Sequence, residues 1–396
     1  MIMQNAPLNI GTEKWLKMKE LRQVMNALGS DDGHAKIVGG AVRDALFNIF
    51  WKKKRAIGDI DIASRLTPDV NMERLEKAGI KVIPTGIDHG TVTAVINKKH
   101  FEITTLRSDV STDGRHAEVE FTDDWIEDAK RRDFTINAFY LDLDGTVYDP
   151  LGGFDDLKRA KIRFIGDAKK RIEEDALRIL RLFRFSSEFD VGGVDEEGLL
   201  ASVELKSMIR ELSGERIWQE LSKILLSKRV MQSIPVLAVV GLLDEILPGH
   251  VGYDKFLKYV KRAKKLDIHD AIGRLSLLLA DSHDDIKDAV SHLRLSNKDR
   301  DRLLSFIADY PKHDLNAVTL RRMMYSFGKD VVIQNLLKRG SMDEKTLYYI
   351  NEYHIPELPY SGKDLIAEGW NAGPELGMEL KRREQLWIDA DFVVTH

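Results

Sequence analysis

The 396-residue sequence predicts a mixed strand-and-helix N-terminal half, α/β or α+β with an antiparallel component, joined to an all-helical C-terminal half. Three observations lead there. Up to about Pro150, short apolar and β-branched runs alternate with turn signals and stretches of helical periodicity. Beyond Pro150-Leu151-Gly152-Gly153, and from about Lys169 nearly to the end, apolar residues recur at helical spacing. And one strand-like stretch, Gly58-Asp59-Ile60-Asp61-Ile62-Ala63, carries two carboxylates two residues apart, which a strand seeking burial does not need for folding.

In order along the chain, strands are expected at Lys36 to Gly39, Asp59 to Ala63, Gly90 to Ile96 and Phe101 to Arg107, the last two joined as a hairpin through Asn97-Lys98-Lys99. A second hairpin is expected where Phe139 to Leu143 meets Asp144-Gly145, a pair suited to the positive φ angles of a type I′ turn. Helices are expected at Ala41 to Phe50 and Pro68 to Ala78. Later, Leu177, Leu180, Phe183 and Phe185 start one amphipathic stripe, and Ile217, Leu221, Ile224 and Leu225 make another. Ser296 with Asp299 reads as a cap before a helix carrying Leu303 and Phe306. No low-complexity tract or fixed repeat period is present.

Composition excludes several classes. With 43% apolar and 31% charged residues, the chain is that of a globular protein large enough for two or more cored domains. No stretch approaches the roughly 18 uninterrupted apolar residues of a membrane span, and the first residues lack a signal-peptide layout, so a cytoplasmic protein is expected. Zero cysteines exclude disulfides, thiol nucleophiles and Cys-bearing zinc sites, leaving Asp, Glu or His to hold any metal. A net charge of −4 argues against general non-specific nucleic-acid binding while leaving room for local basic patches. No required protein partner is evident.

Residues i and i+2 of a strand project from the same face, so Asp59 and Asp61 are expected side by side. Like charges that close raise each other's pKa unless a cation lies between them, and Mg2+ suits oxygen ligands supplied by one or two carboxylates plus substrate phosphates. Some twenty residues upstream, Ile37-Val38-Gly39-Gly40-Ala41-Val42-Arg43-Asp44 reads as an apolar strand running through two glycines into a helix. Backbone N–H groups at such a junction can approach phosphate oxygens, and Arg43 in the first turn can reach the same phosphates. It is neither a P-loop nor a dinucleotide-binding glycine motif. A phosphate cradle followed by a D-x-D strand describes a two-metal nucleotidyl-transfer site. Glu102, on the strand from Phe101, is a possible third acid or the partner of a nearby base.

Two further groups bear on nucleotide choice. In Arg131-Arg132-Asp133-Phe134-Thr135-Ile136-Asn137-Ala138, Asp133 and Asn137 could hydrogen-bond a ribose hydroxyl. In Glu174-Asp175-Ala176-Leu177-Arg178-Ile179-Leu180-Arg181, expected as one helix, Asp175 and Arg178 are neighbours on a face. Cytosine and adenine each place an acceptor ring nitrogen beside an exocyclic amino donor, whereas uracil and guanine present a ring N–H beside a carbonyl. An Arg donor beside an Asp acceptor complements the first pair and opposes the second, which would admit CTP and ATP and reject UTP and GTP without a template. A plain surface ion pair is the other reading of that spacing.

These residues resemble, in order, the motifs of the class II tRNA nucleotidyltransferases, the CCA-adding enzymes, and their relatives the bacterial poly(A) polymerases. The matching stretches are GGAVRD at 39–44, DID at 59–61, RRDFTINA at 131–138, EDALRILR at 174–181 and GERIWQEL at 214–221, and the resemblance is strong over about residues 25 to 225. It implies an α+β fold: a polymerase-β-like head over residues 1–150, then all-α segments, a neck over 151–225 that reads the base, and a body and tail over 226–396 that bind tRNA. It implies that Asp59 and Asp61 bind Mg2+, Gly39, Gly40 and Arg43 the triphosphate, Asp133 the ribose, and Asp175 and Arg178 the base, with Arg181 in support. Asp109 to His116, including Asp113, Gly114 and Arg115, resembles the family's flexible loop, and Ser213 to Arg216 its neck brace.

The C-terminal half resembles the family less closely, at Ser361 to Asp364 and Gly373 to Gly377. Independently, Lys255, Lys258, Arg262 and Lys265 fall on one helical face with Tyr259 nearby, a stripe that suits RNA phosphates or is a solvated charged face. His269-Asp270 and His283-Asp284 read as caps or surface residues. The implied activity is addition of CCA to the 3′ end of tRNA from CTP and ATP. The alternatives are a poly(A) polymerase, which Phe50 to Ile57 disfavours by lacking a Gly-Arg-Arg-Phe type of sequence, an enzyme adding only CC or only A, and a non-catalytic RNA-binding factor.

Overall fold

The computed structural model describes residues 8–112, 117–189, 193–307 and 316–393. The chain forms two compact units, Met1–Leu212 with Ser227–Arg229, and Ser213–Leu226 with Val230–His396.

The first unit is built on a seven-stranded sheet in the order β3-β4-β5-β2-β1-β8-β9. Its strands are β1 Ala35–Val38, β2 Asp61–Ser64, β3 Lys81–Gly86, β4 Thr91–Ile96, β5 Lys99–Thr105, β8 Tyr140–Leu141 and β9 Val147–Tyr148, while β6 Arg107–Thr112 and β7 Ala117–Phe121 pair in a separate ribbon. Among the described strands only β2 and β5 run parallel; the other pairs are antiparallel. The unit's helices include α1 Lys19–Ala27, α2 Gly40–Trp51, α3 Pro68–Lys77, α4 Trp125–Lys130, α5 Gly153–Lys158, α6 Ala168–Glu174, α7 Leu177–Glu188 and α8 Glu196–Glu204. Val38, Ala63, Leu106, Ala129, Ala138, Tyr140 and Ile165 close one core cluster against the central strands. A mixed sheet with segregated helices makes the unit α+β.

Local chemistry explains both hairpins, one as expected and one not. Between β4 and β5, Asn97 and Lys98 both take positive φ (49° and 63°) with Ile96 paired to Lys99, the two-residue type I′ geometry whose twist matches the strands. Between β8 and β9 the expected type I′ turn is absent. Only Gly145 has positive φ, 90°, its N–H donates to Asp142 O, and Asp142 N–H donates to Thr146 O. This is a three-residue loop in which the αL position falls on glycine alone, so Asp144 avoids the strain.

Asp59 falls outside the strand that was expected to carry it. β2 begins at Asp61, opposite Val38, because β1 ends there: Gly39 turns away at φ 75° into α2, and no ladder partner remains on that side for residues before Asp61. A second break separates α6 from α7, where one continuous helix was expected. Asp175 is extended (φ −158°, ψ 104°), and its side chain accepts a hydrogen bond from Leu177 N–H at 3.1 Å. Short acidic side chains compete with helix propagation in this way and cap the next helix instead.

Every regular element described in the second unit is a helix, from Gly214–Leu226 to Pro374–Asp389. Ile217, Leu221, Ile224 and Leu225 are all buried, as their spacing demands. Ser296 accepts from Asp299 N–H at the start of Asn297–Ser305, the expected cap, and Ser361 with Asp364 forms a full capping box. No helix among the described residues is long and apolar enough to cross a membrane.

Candidate active site

The site begins with the end of β1. Buried Ile37 and Val38 fix the strand, and Gly39 leaves it at φ 75° and ψ −131°, a backbone open to glycine and strained for any L side chain. A Cβ at Gly39 would lie 3.7 Å from Asp61 Oδ2, so the carboxylate stands against the turn that starts α2. Register does the placing: Asp61 pairs with Val38 on one side and with Glu102 of β5 on the other. Burial, and then the charges of Glu102 and Asp59, push the Asp61 carboxyl up to about 6, against the pull of Arg132.

Three acids thus gather negative charge at the mouth of a glycine turn. Oxygen donors with surplus charge suit a hard divalent cation such as Mg2+. No group of three His, Asp or Glu side chains converges as a complete metal cage among the described residues. The protein offers a carboxylate set that leaves coordination positions for phosphate oxygens and water, the mode by which Mg2+ joins nucleotide sites. The residues present therefore fit the ion.

Arg43 is buried and all three of its nitrogens are engaged. Nε and Nη2 donate to Asp44 at 3.1 and 3.2 Å, Nη1 donates to Asn137 Oδ1 at 2.8 Å, and the guanidinium stands 4.8 Å over the Phe185 ring. It braces the glycine turn to the next motif. Asn137 Nδ2 donates onward to Asp133 Oδ1 at 2.9 Å; Phe134 N–H donates to the same oxygen at 2.8 Å; Arg181 donates Nε to Asp133 Oδ2 at 2.7 Å and pairs through Nη2 at 2.6 Å. A carboxylate has about four acceptor positions. Those of Asp133 are all taken, so a ribose hydroxyl reaches it by displacing a present donor. Burial favours the neutral acid, but the Arg181 charge and these hydrogen bonds outweigh it and hold Asp133 below the usual carboxylate range.

Asp175 and Arg178 are not an ion pair in this structure. With Asp175 capping α7, Arg178 pairs with Glu174, which also takes Arg171, and Arg178 Nη1 donates to Arg171 O at 2.7 Å. Arg171 in turn donates to the carbonyls of Arg131 and Arg132. The base-reading segment is thereby tied to the backbone that carries Asp133. Sequence reasoning passed over Arg132, the cation that offsets Asp61, and Glu174, the hub of this junction. The Arg131-Arg132 doublet and the i, i+4 spacing of Glu174 to Arg178 were the signals for them.

Other expected residues divide. Asp109 to Thr112 belong to β6, whereas Asp113, Gly114, Arg115 and His116 lie outside the described residues. In the second unit Gly214 packs so closely that a Cβ would meet His292 O at 2.0 Å, and Glu215 pairs with Arg294. On helix Asp254–Lys265, Lys255, Lys258 and Lys265 are exposed, but Arg262 Nη1 donates to the carbonyls of Leu337 and Lys338, and Tyr259 is buried against Gln334. His269 meets only Asp267, while Arg302 takes both oxygens of Asp270.

Two family models match the chain: the poly A polymerase head domain over residues 35–163, and a probable RNA and SrmB-binding site of polymerase A over 194–252. The CCA tRNA nucleotidyltransferase 1, mitochondrial, of Mus musculus is 36% identical over 382 residues, covering 93% of this chain and 86% of that protein. The chain belongs to the class II CCA-adding tRNA nucleotidyltransferase family. A CCA-adding enzyme of Lactococcus lactis is 32% identical, covering 92% and 91%. The crystal structure of the Bacillus stearothermophilus CCA-adding enzyme in complex with CTP superposes with a TM-score of 0.75 at 28% identity, covering 97% of this chain and 94% of that one. CCA-adding relatives thus share both units of the present fold, and the protein is a nucleotidyltransferase.

Proposed function

We propose that this nucleotidyltransferase adds C, C and A to the 3′ end of tRNA from CTP and ATP, without a template, using Mg2+ held by Asp59 and Asp61. The observation that carries the reading is the Asp61 carboxylate against the Gly39–Gly40 turn, beside Glu102 and with its pKa raised. A bound divalent cation supplies activation of the attacking hydroxyl and neutralisation of phosphate charge.

The chain's own residues do the rest. The turn at Gly39 and Gly40 presents the first N–H groups of α2 to the triphosphate, and Arg43 stiffens that turn. The 3′ oxygen of the RNA bonds to the α-phosphorus as the bridging bond to the β-phosphate breaks; pyrophosphate leaves, and the hydroxyl proton passes to solvent. Asp133 and Asn137 position the sugar, with Arg181 exchanging contacts as it binds. Asp175 and Arg178 select the base edge, with Glu174 orienting Arg178.

We assign residues 1–150 to a catalytic head, 151–225 to a neck and 226–396 to a tRNA-binding body and tail, with Lys255, Lys258 and Lys265 contacting phosphates. The expected compartment is the cytoplasm, which fractionation tests.

The decisive experiment extends a tRNA ending before its CCA with each NTP, singly and combined. Three additions from CTP plus ATP followed by a stop, none from UTP or GTP, and a dead Asp59→Ala/Asp61→Ala variant are expected. Long ladders from ATP alone would move the assignment to a poly(A) polymerase; activity in the double variant would remove the carboxylate pair from the mechanism.

A further inference from the structure

Asp59 lies outside the sheet ladder, so something other than β-pairing must place it. Residues 52–60 run from the end of α2, where Lys52 turns left-handed at φ 49°, to the start of β2. Lys52, Lys53 and Lys54 are exposed, and Arg55 is the first residue to turn back. Its backbone is gripped at both ends by one side chain: Arg55 N–H donates to Asn48 Oδ1 at 2.7 Å, and Asn48 Nδ2 donates to Arg55 O at 2.9 Å. Its guanidinium lies over the rings of Phe189 and Phe47, at 5.0 and 5.4 Å, and spans two acids. Nη2 pairs with Glu188 at the end of α7 at 3.3 Å, and Nη1 stands 3.7 Å from Asp44 on α2.

Those acids lead into the site already described. Asp44 is the partner of Arg43, which continues through Asn137 and Asp133 to Arg181 on α7. Glu188 also takes Arg184, whose guanidinium stacks 3.9 Å from the centre of Phe185, the ring that Arg43 faces from 4.8 Å. Arg55 thus joins both ends of a charged chain that links α2, α7 and the segment leading to Asp59. The contact from Nη1 to Asp44 is too long for a hydrogen bond, and this buried nitrogen has no hydrogen-bond partner among the described residues. One donor of the span is left to tighten.

We infer that Arg55 is a positioning residue for Asp59, fixing residues 52–60 against α2 and α7 so that the carboxylate and the base-reading helix keep one geometry. The inference rests on reading Asp59 as a metal ligand. Its length scale is small, since a misplacement of about 1 Å costs on the order of 100-fold in rate.

The test compares wild type with Arg55→Ala, Arg55→Lys and Glu188→Gln. In metal-free protein, cleavage after Lys52 to Lys54 by a lysine-specific protease should quicken at least about tenfold in Arg55→Ala, with the global unfolding midpoint nearly unchanged. Binding of Mn2+ alone, followed by its electron paramagnetic resonance signal, should weaken about tenfold. In extension assays kcat should fall about 10- to 100-fold with the KM for CTP and ATP little changed, and Arg55→Lys should recover part of each loss. Glu188→Gln, which keeps the packing, should give the same pattern more weakly and add little to Arg55→Ala; it also carries the test if Arg55→Ala does not fold. Unchanged Mn2+ affinity and kcat in Arg55→Ala, or in Glu188→Gln where that variant stands in, overturn the inference even if local cleavage accelerates. An Asp59→Ala control that keeps wild-type Mn2+ affinity instead removes the metal-ligand reading beneath it.

Discussion

Arg181 Nε donates to one oxygen of Asp133, 48 residues away in sequence, at 2.7 Å, its Nη2 pairs with the same oxygen at 2.6 Å, and the two contacts fasten α7 to the turn that follows α4. Asp133 is buried, and its remaining donors are Asn137 and a backbone N–H. Removing the cation leaves a buried carboxylate half compensated, a change that costs roughly 3–5 kcal/mol when the pair is fully buried and less here, since Arg181 is partly exposed. Arg181→Ala should lower stability by about 2 kcal/mol or more in a denaturant titration, and Arg181→Lys by less. The pair also has a pH signature. The folded-state pKa of Asp133 lies below its unfolded value, so its contribution is complete above about pH 4 and is lost as pH falls towards the folded value. Arg181→Ala should flatten that acid limb.

Asp61 has the opposite sign. Its folded pKa of about 6 lies above the ordinary aspartate range, so the folded state binds the extra proton and stability falls as pH rises from about 4 through 6. In metal-free protein the penalty at pH 7 is on the order of 2 kcal/mol. Thermal melts in chelator should therefore show the protein more stable at pH 5 than at pH 7.5, and Asp61→Asn should abolish that difference while raising the midpoint at pH 7.5. A pH-independent wild type would mean that neither burial nor the charges of Glu102 and Asp59 raise the Asp61 carboxyl.

Much of this site was legible in one dimension because its parts are local. The Gly39–Gly40 turn and the Asn97–Lys98 hairpin are each written in a few adjacent residues whose φ requirements admit few structures. What escaped the sequence depends on where neighbouring strands and helices stop. Asp59 leaves the strand because β1 ends at Val38, and Arg178 changes partner because Asp175 caps α7. Arg262 carried the same positive charge in the helical pattern as its lysine neighbours, and only tertiary packing gave it carbonyl partners on another helix. Periodicity reports which face a residue shares and says nothing about what meets it there.

The role of Glu174 follows from that change of partner. It accepts from both Arg171 and Arg178, so it fixes the guanidinium proposed to read the base. Glu174→Gln keeps the shape and removes the charge. CTP-to-UTP discrimination in single-nucleotide extension should fall roughly tenfold or more, with protein stability changed by about 1 kcal/mol or less. Retained discrimination would place base selection on residues other than Arg178.

Gly39 allows a backbone test at the same site. At φ 75° and ψ −131°, a side chain is strained by on the order of 1–3 kcal/mol, and a Cβ there would also stand 3.7 Å from Asp61 Oδ2. Gly39→Ala should lose both stability and nucleotide affinity. Gly40→Ala, with φ outside the positive range and its nearest foreign atom at 3.8 Å, should fold like wild type.

The basic stripe of helix Asp254–Lys265 should split by function. Lys258 and Lys265 are exposed, so any RNA contact they make is electrostatic, and each phosphate contact contributes about 0.7–0.9 to the slope of log affinity against log salt. Lys258→Ala/Lys265→Ala should weaken tRNA binding and reduce that slope by up to about 2, leaving the unfolding midpoint in place. Arg262 is different: it bonds the carbonyls of Leu337 and Lys338 and stacks so tightly on Gly340, itself at φ 81°, that a Cβ there would meet Nη2 at 2.6 Å. Arg262→Ala exposes the last carbonyls of helix Lys329–Arg339 and should cost about 1–2 kcal/mol of stability with little change in salt slope. Equal salt-slope losses from both variants would return Arg262 to the RNA surface, and a stability loss confined to the lysine variant would take the whole stripe out of tRNA binding.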